Sequence, residues 1–145
     1  MNIPGTNNPP FIVGDADGLI ALLHSDDINH AIAVQAAQKL VAQNAEVLFL
    51  LTAIVEAATT LQRRLANPPL ADAVRQQVIA GELLIEEVEK DVLTQASNLF
   101  NPFGSKKNTL FDAIVATVAR KYSASTIFSF DDWYAKQGFT LIPQI

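Results

Sequence analysis

Short apolar runs alternate along the chain with longer segments in which apolar positions recur every three or four residues. Phe11-Ile12-Val13, closed by Gly14-Asp15, predicts a buried first strand. Val47 to Leu51 predicts a second, Leu83-Leu84-Ile85 a third, Thr126 to Ser129 a fourth and Thr140-Leu141-Ile142 a fifth. Between them, Asp17 to His24 carries Leu19, Ile20, Leu22 and Leu23 at helical spacing. A second helix, capped by Ser25 or Asp26, runs to about Gln43. Thr52 is the expected N-cap of a helix from Ala53 to about Leu65, which Asn67-Pro68-Pro69 stops. Leu70 to Ala80, ended by Gly81, and Glu87 to Leu99 form two more helices. Thr109 caps a strongly apolar helix from Leu110 to Tyr122, and Asp132 to Gln137 is a short one ended by Gly138. Apolar strands alternating with helices predict an α/β fold: a three-layer α/β/α sandwich around a short parallel five-stranded sheet with right-handed crossovers.

Composition narrows this picture. With 145 residues, half of them hydrophobic, the chain has material for one domain with a substantial core. Residues 1–10, polar and rich in Asn and Pro, predict a flexible arm before a domain spanning 11–145. That arm lacks the basic start and long apolar run of a signal peptide, and the run Val47 to Val55 is too short to cross a bilayer. A soluble, cytoplasmic protein with no membrane association is expected. No cysteine is present, which excludes a disulfide framework, an iron–sulfur cluster and a thiolate zinc site. The net charge of −5 argues against an extended basic face for nucleic acid, so any such contact must be local, metal-assisted or shared with a second subunit.

In parallel α/β sheets ligands sit beyond the carboxyl ends of the strands. Asp15 follows the first strand, Glu56 lies in the first turns of the helix after the second, and Asp131 lies just past the fourth. Asp112 opens the helix that runs back before the fourth strand, so a right-handed crossover starts it at the same rim. Each acid taken singly has a plain explanation, because carboxylates favour the first turn of a helix. Their joint placement is what points to chemistry. Four crowded carboxylates raise one another's pKa values, and a hard divalent cation relieves the conflict. Oxygen-only ligation suits Mg²⁺ or Mn²⁺. His24 and His30, around the first helix–helix connection, read as surface or packing residues rather than ligands.

These motifs resemble those of the PIN domain family. The stretch from Phe11 to Leu23 is similar to the family's opening, an apolar strand ending in Asp before an aliphatic helix. Thr52-Ala53-Ile54-Val55-Glu56, Phe111-Asp112 with its Ala-rich helix, and Ser129-Phe130-Asp131 with Trp133 and Gly138 resemble the second, third and fourth motifs. The resemblance runs from about Phe11 to Ile142. Two positions depart from it: Ala16 stands where Thr or Ser is usual, and Asp17, where Asn or Ser is common, adds a fifth acid.

The resemblance implies a metal-dependent ribonuclease, often the VapC-like toxin of a toxin–antitoxin pair, with an antitoxin protein as partner. Asp15 and Asp112 are then the leading Mg²⁺ or Mn²⁺ ligands, with Asp131 and Glu56 binding directly or through water; Asp17, Thr52 and Ser129 support them. Arg63, Arg64, Lys106 and Lys107 are candidate RNA contacts, although paired basic residues are commonly solvated surface. Trp133 and Tyr134 fit packing better than base stacking. Apolar positions on the second helix and around Leu61, Leu65 and Leu70 suit a homodimer. Two rivals stand beside this reading. Asp15-Ala16-Asp17-Gly18 also fits a haloacid-dehalogenase-type phosphatase, which would leave Glu56 and Asp112 without a role. A catalytically inactive PIN-like binding module is the other.

Overall fold

The computed structural model describes residues 11–145; the arm expected over residues 1–10 lies outside them. Four short strands, β1 (Ile12–Gly14), β2 (Val47–Leu50), β3 (Leu84–Glu86) and β4 (Thr126–Phe128), form a parallel sheet in the order β3-β2-β1-β4. Ile12 is in register with Val47 on one side and Thr126 on the other. Successive side chains of a strand point to opposite faces. Ile12, Phe49 and Phe128 accordingly join one apolar cluster while Val13, Leu50 and Ile127 join a second.

Helices α1 (Ala16–Leu23), α2 (His30–Ala42), α3 (Leu51–Thr59) and α4 (Pro68–Ala80) contribute to the first cluster. Helices α5 (Lys90–Leu99), α6 (Leu110–Lys121) and α7 (Asp132–Lys136) contribute to the second. The predicted three layers follow, because β1, β2 and β4 are apolar on both faces and need cover on both, whereas the edge strand β3 leaves Leu84 and Ile85 exposed.

The expected fifth strand does not form; among the described residues the sheet has four. Thr140 makes a single parallel bridge to Thr126, with its N–H donating to Ser125 O at 2.9 Å. The pairing stops there because the chain turns into a 3-10 helix at Ile142–Gln144. Pro143 fixes the backbone for that turn, and the Gln144 side chain accepts from Leu141 N–H at 3.0 Å.

Other boundaries move for local reasons. Helix α3 leaves β2 without a linker, so Leu50 occupies the N-cap and Thr52 lies inside the first turn instead of capping it. Its Oγ1 is buried with no hydrogen-bond partner among the described residues. Past Thr59 the helix widens into one π-helical turn, Thr60–Arg64, which ends at Leu65 as expected. Helix α2 begins at His30, because Ser25 and Asp26 lie in a turn that Asp27 closes by accepting from Asn29 N–H at 2.8 Å. Helix α5 begins at Lys90 rather than Glu87. Leu61 is fully buried, which removes it from any dimer surface; Ile32, Val41 and Leu65 remain exposed.

Gly18 sets how closely α1 crosses β4. A Cβ at this position would run into the Phe128 carbonyl oxygen and come within 2.7 Å of the Phe128 ring. Alanine favours a helix over glycine by about 1 kcal/mol, but overpacking against a buried backbone costs about 1–3 kcal/mol or more. The clash dominates, so Gly18→Ala is expected to lower the urea midpoint. An unchanged or higher midpoint would show that α1 can lift from the sheet without cost.

Candidate functional site

The carboxyl ends of β1 and β4 face the start of α1, α6 and α7. Asp15 is the N-cap of α1: its Oδ1 accepts from Ala16 N–H at 2.7 Å. Asp112 is the third residue of α6, and its Oδ2 accepts from Thr109 N–H at 2.8 Å, half of a capping box. Asp131 is the N-cap of α7, with Oδ1 accepting from Trp133 N–H at 2.9 Å and Oδ2 from Asn108 Nδ2 at 3.2 Å. Each of these acids therefore has the ordinary helix-start role that its sequence position suggests. Each also has a second oxygen engaged elsewhere or left over.

That second oxygen makes the site. Tyr134 Oη donates to Asp15 Oδ2 at 2.6 Å and lies 3.4 Å from Asp112 Oδ1, so one phenol on α7 joins the first strand's acid to that of α6. Asp15 is 4% exposed, Asp112 8%, and Tyr134 and Ser129 are fully buried. Asp17 is held across β4: its Oδ2 accepts from Ser129 Oγ at 3.0 Å and Phe130 N–H at 2.8 Å. The same Ser129 oxygen accepts from Asp131 N–H at 3.1 Å. Glu56, half-buried on α3, keeps a buried Oε2 with no hydrogen-bond partner among the described residues.

The electrostatics tie all five acids together. Burial raises the Asp15 pKa well above the usual carboxylate range; the Asp17 charge adds to this, and the Asp112 charge to a lesser degree. Burial also raises Asp17, against the hydrogen bonds from Phe130 and Ser129, with the Asp131 charge contributing. Asp112 rises through burial and then the charges of Asp131 and Asp17. Glu56 is pushed up to about 7, first by burial and then by the charges of Asp112 and Asp17. Burial and the neighbouring carboxylates drive the Tyr134 phenol well up, keeping it a proton donor.

No cation answers this charge: the ion pair found among the described residues is Arg75–Asp72, between exposed side chains of α4. Nor, among the described residues, are three such side chains gathered closely enough to hold a metal ion as they stand. The donor chemistry nevertheless suits a hard cation. The candidate donor atoms are all carboxylate oxygens, no ion pair among the described residues offsets their repulsion, and Glu56 Oε2 is buried without a hydrogen-bond partner among those residues.

The remaining candidates fall around this centre. Arg64 lines a cavity of about 230 Å³ with Asp17, Asn29 and Phe130, whereas Arg63 is simply exposed. Lys106 and Lys107 are exposed on the loop between α5 and α6. His30 packs, with Nδ1 2.7 Å from Ala21 O. Tyr134 packs as expected, but the role of its hydroxyl was not anticipated; a tyrosine among buried apolar positions needs a polar partner, and that was the available signal. Asn108 was missed too, and nothing local in the sequence marks an asparagine one residue before a helix cap as a partner of Asp131.

A family model described as PIN domain matches residues 12–139. Among solved structures, VapC20 of Mycobacterium tuberculosis, titled a sarcin–ricin loop cleaving toxin, aligns with a TM-score of 0.74 at 23% sequence identity, over 89% of this chain and 96% of that one. At that identity the likeness speaks for the fold. No curated protein matches the chain.

Proposed function

The chain belongs to the PIN domain family, and from that premise we propose that it is a metal-dependent endoribonuclease, the toxin of a toxin–antitoxin pair. The observation that supports the proposal is that Asp15, Glu56, Asp112 and Asp131, with Asp17, lie near enough for their charges to act on one another, with no ion pair to any of them among the described residues. The family match spans Asp15-Ala16-Asp17-Gly18, which sets aside the haloacid-dehalogenase-type phosphatase.

Asp15 and Asp112 would hold Mg²⁺ or Mn²⁺ most directly, with Asp131 and Glu56 completing the set through their own oxygens or through water. The chemistry such an ion supplies is polarisation of the phosphate and a lowered pKa for attacking water. The rest falls to the protein. Tyr134 fixes the spacing of Asp15 and Asp112, and Ser129 ties Asp17 to the backbone that carries Asp131. Without metal the Glu56 carboxyl is pushed up to about 7 by burial and the charges of Asp112 and Asp17, so a cation bound among the acids would favour its ionised form. Exposed Arg64, Lys106 and Lys107 supply charge for the RNA backbone. An antitoxin is the expected protein partner, by analogy with a structural relative titled a toxin. Exposed Ile32 and Val41 on α2, with Leu65, supply an apolar surface for a homodimer.

Single-stranded RNA incubated with the protein should be cut internally in Mg²⁺ or Mn²⁺ and left intact in excess chelator. Mn²⁺ titrated calorimetrically in parallel should give a saturable heat. Absence of both cleavage and heat would identify an inactive binding module instead.

A further inference from the structure

Next to the acids lies a second cavity of about 230 Å³, walled by Leu99, Phe100, Asn108, Thr109, Trp133 and Lys136 among others. None of its lining residues is one of the five acids, yet three of them hold those acids in place. Asn108 Nδ2 and Trp133 N–H donate to the two oxygens of Asp131, and Thr109 N–H donates to Asp112. The cavity therefore shares a wall with the carboxylate cluster.

Its size and lining narrow what it can take. The volume falls below the roughly 300–1,000 Å³ of pockets for drug-sized ligands, which leaves room for one ring system. Trp133 is half-buried, braced edge-on against Tyr134 with ring centroids 5.4 Å apart. Lys136 is exposed and forms no ion pair among the described residues. Asn108 spends its amide nitrogen on Asp131, and its carbonyl oxygen accepts no hydrogen bond among the described residues. Trp133 packs partly on the second core cluster, as expected, and also lines the cavity; an aromatic side chain, a cationic donor and an amide acceptor around a small cavity suit an unpaired base, by stacking plus edge recognition. The loop that closes it is built from turns, with Asn101 Oδ1 accepting from Phe103 N–H at 3.0 Å and Asn108 N–H donating to Ser105 O at 3.1 Å.

We propose that this cavity seats an unpaired nucleobase of the RNA beside the scissile phosphate, stacked on Trp133 with Lys136 and Asn108 reading its edge, and so sets the base preference around the cut. The role at a cut rests on the ribonuclease reading above; the binding of a base does not.

Trp133 is the single tryptophan of the chain, so its indole N–H gives one assignable resonance. The protein is titrated in Mg²⁺ with the four ribonucleoside 5′-monophosphates and, as the baseless probe, with ribose 5-phosphate. At least one nucleotide should move the indole resonance saturably while ribose 5-phosphate leaves it in place. Lys136→Ala should weaken that binding about threefold or more. In a parallel digest, Trp133→Leu should alter which bases flank the cuts and Trp133→Phe should restore the original pattern. Indole shifts with ribose 5-phosphate equal to those with nucleotides, or no shift with any nucleotide, would overturn the proposal even if RNA is cleaved. Base-dependent shifts in a protein that cuts no RNA would keep the base site and discard the nuclease.

Discussion

Asp15→Asn is expected to reduce RNA cleavage by at least about a hundredfold, while making the metal-free protein more stable. Partners that only orient metal ligands are worth about 10–100-fold in metal affinity or activity, so losing a direct ligand should cost at least the upper end. The local structure has no reason to fail. Asparagine is as good an N-cap as aspartate, its carbonyl oxygen can keep the Ala16 hydrogen bond, and its amide can donate to the Tyr134 hydroxyl that the carboxylate now accepts from. The substitution also deletes a buried acid whose ionisation is opposed by burial and by Asp17 and Asp112. Removing that conflict should raise the melting midpoint of the metal-free protein. Calorimetry at pH 8 in chelator reads the second effect and a timed RNA digest the first. Cleavage at the unsubstituted rate would remove Asp15 from the site; a lower midpoint would mean that the carboxylate is a structural asset rather than a held charge.

The second large effect is a reversal of the pH dependence of stability by metal. Glu56 has its pKa raised from 4.5 to about 7, and Asp15, Asp17 and Asp112 are raised from 3.8. Between the unfolded and folded pKa values the native state binds more protons than the unfolded chain. The contribution of these acids to the stability of the metal-free protein is therefore fully present below about pH 4 and is lost as pH rises, through about 7 for Glu56. For Glu56 alone a rise from 4.5 to about 7 would be worth about 3 kcal/mol if it were sealed from solvent; for a half-buried group, screening leaves about 1–2 kcal/mol. A bound cation stabilises the ionised acids and cancels that loss. At a hundred times its dissociation constant it contributes about 2.7 kcal/mol, roughly 5–10 °C. Mg²⁺ should thus raise the melting midpoint more at pH 8 than at pH 5, where Glu56 keeps its proton. An equal metal shift at both pH values, or a metal-free midpoint that climbs from pH 5 to 8, would contradict the account of the site as crowded, unpaired carboxylates.

Much of this was legible in one dimension because it depends on neighbours along the chain. Apolar runs two to four residues long announce β1, β2 and β4, and Asp15, Asp112 and Asp131 sit where strands end or helices begin, which any α/β alternation brings to one rim. Short-range competition displaced the details. Pro143 and the Gln144 side chain ended the fifth strand at one bridge, and the direct exit of α3 from β2 took the cap position away from Thr52.

The links that complete the site span large separations in the chain. Tyr134 reaches Asp15 across 119 positions, Ser129 reaches Asp17 across 112, and Asn108 reaches Asp131 across 23. Local pattern reports which way a side chain faces, since period and capping are set within a few residues. It does not report which distant polar group lies opposite, because that is decided by how helices pack on the two faces of the sheet. Periodicity and capping along the chain were enough for the layers and for the acids' places at strand ends and helix starts; the packing of α6 and α7 against β1 and β4 then made a buried phenol join two of those acids and opened a small cavity alongside.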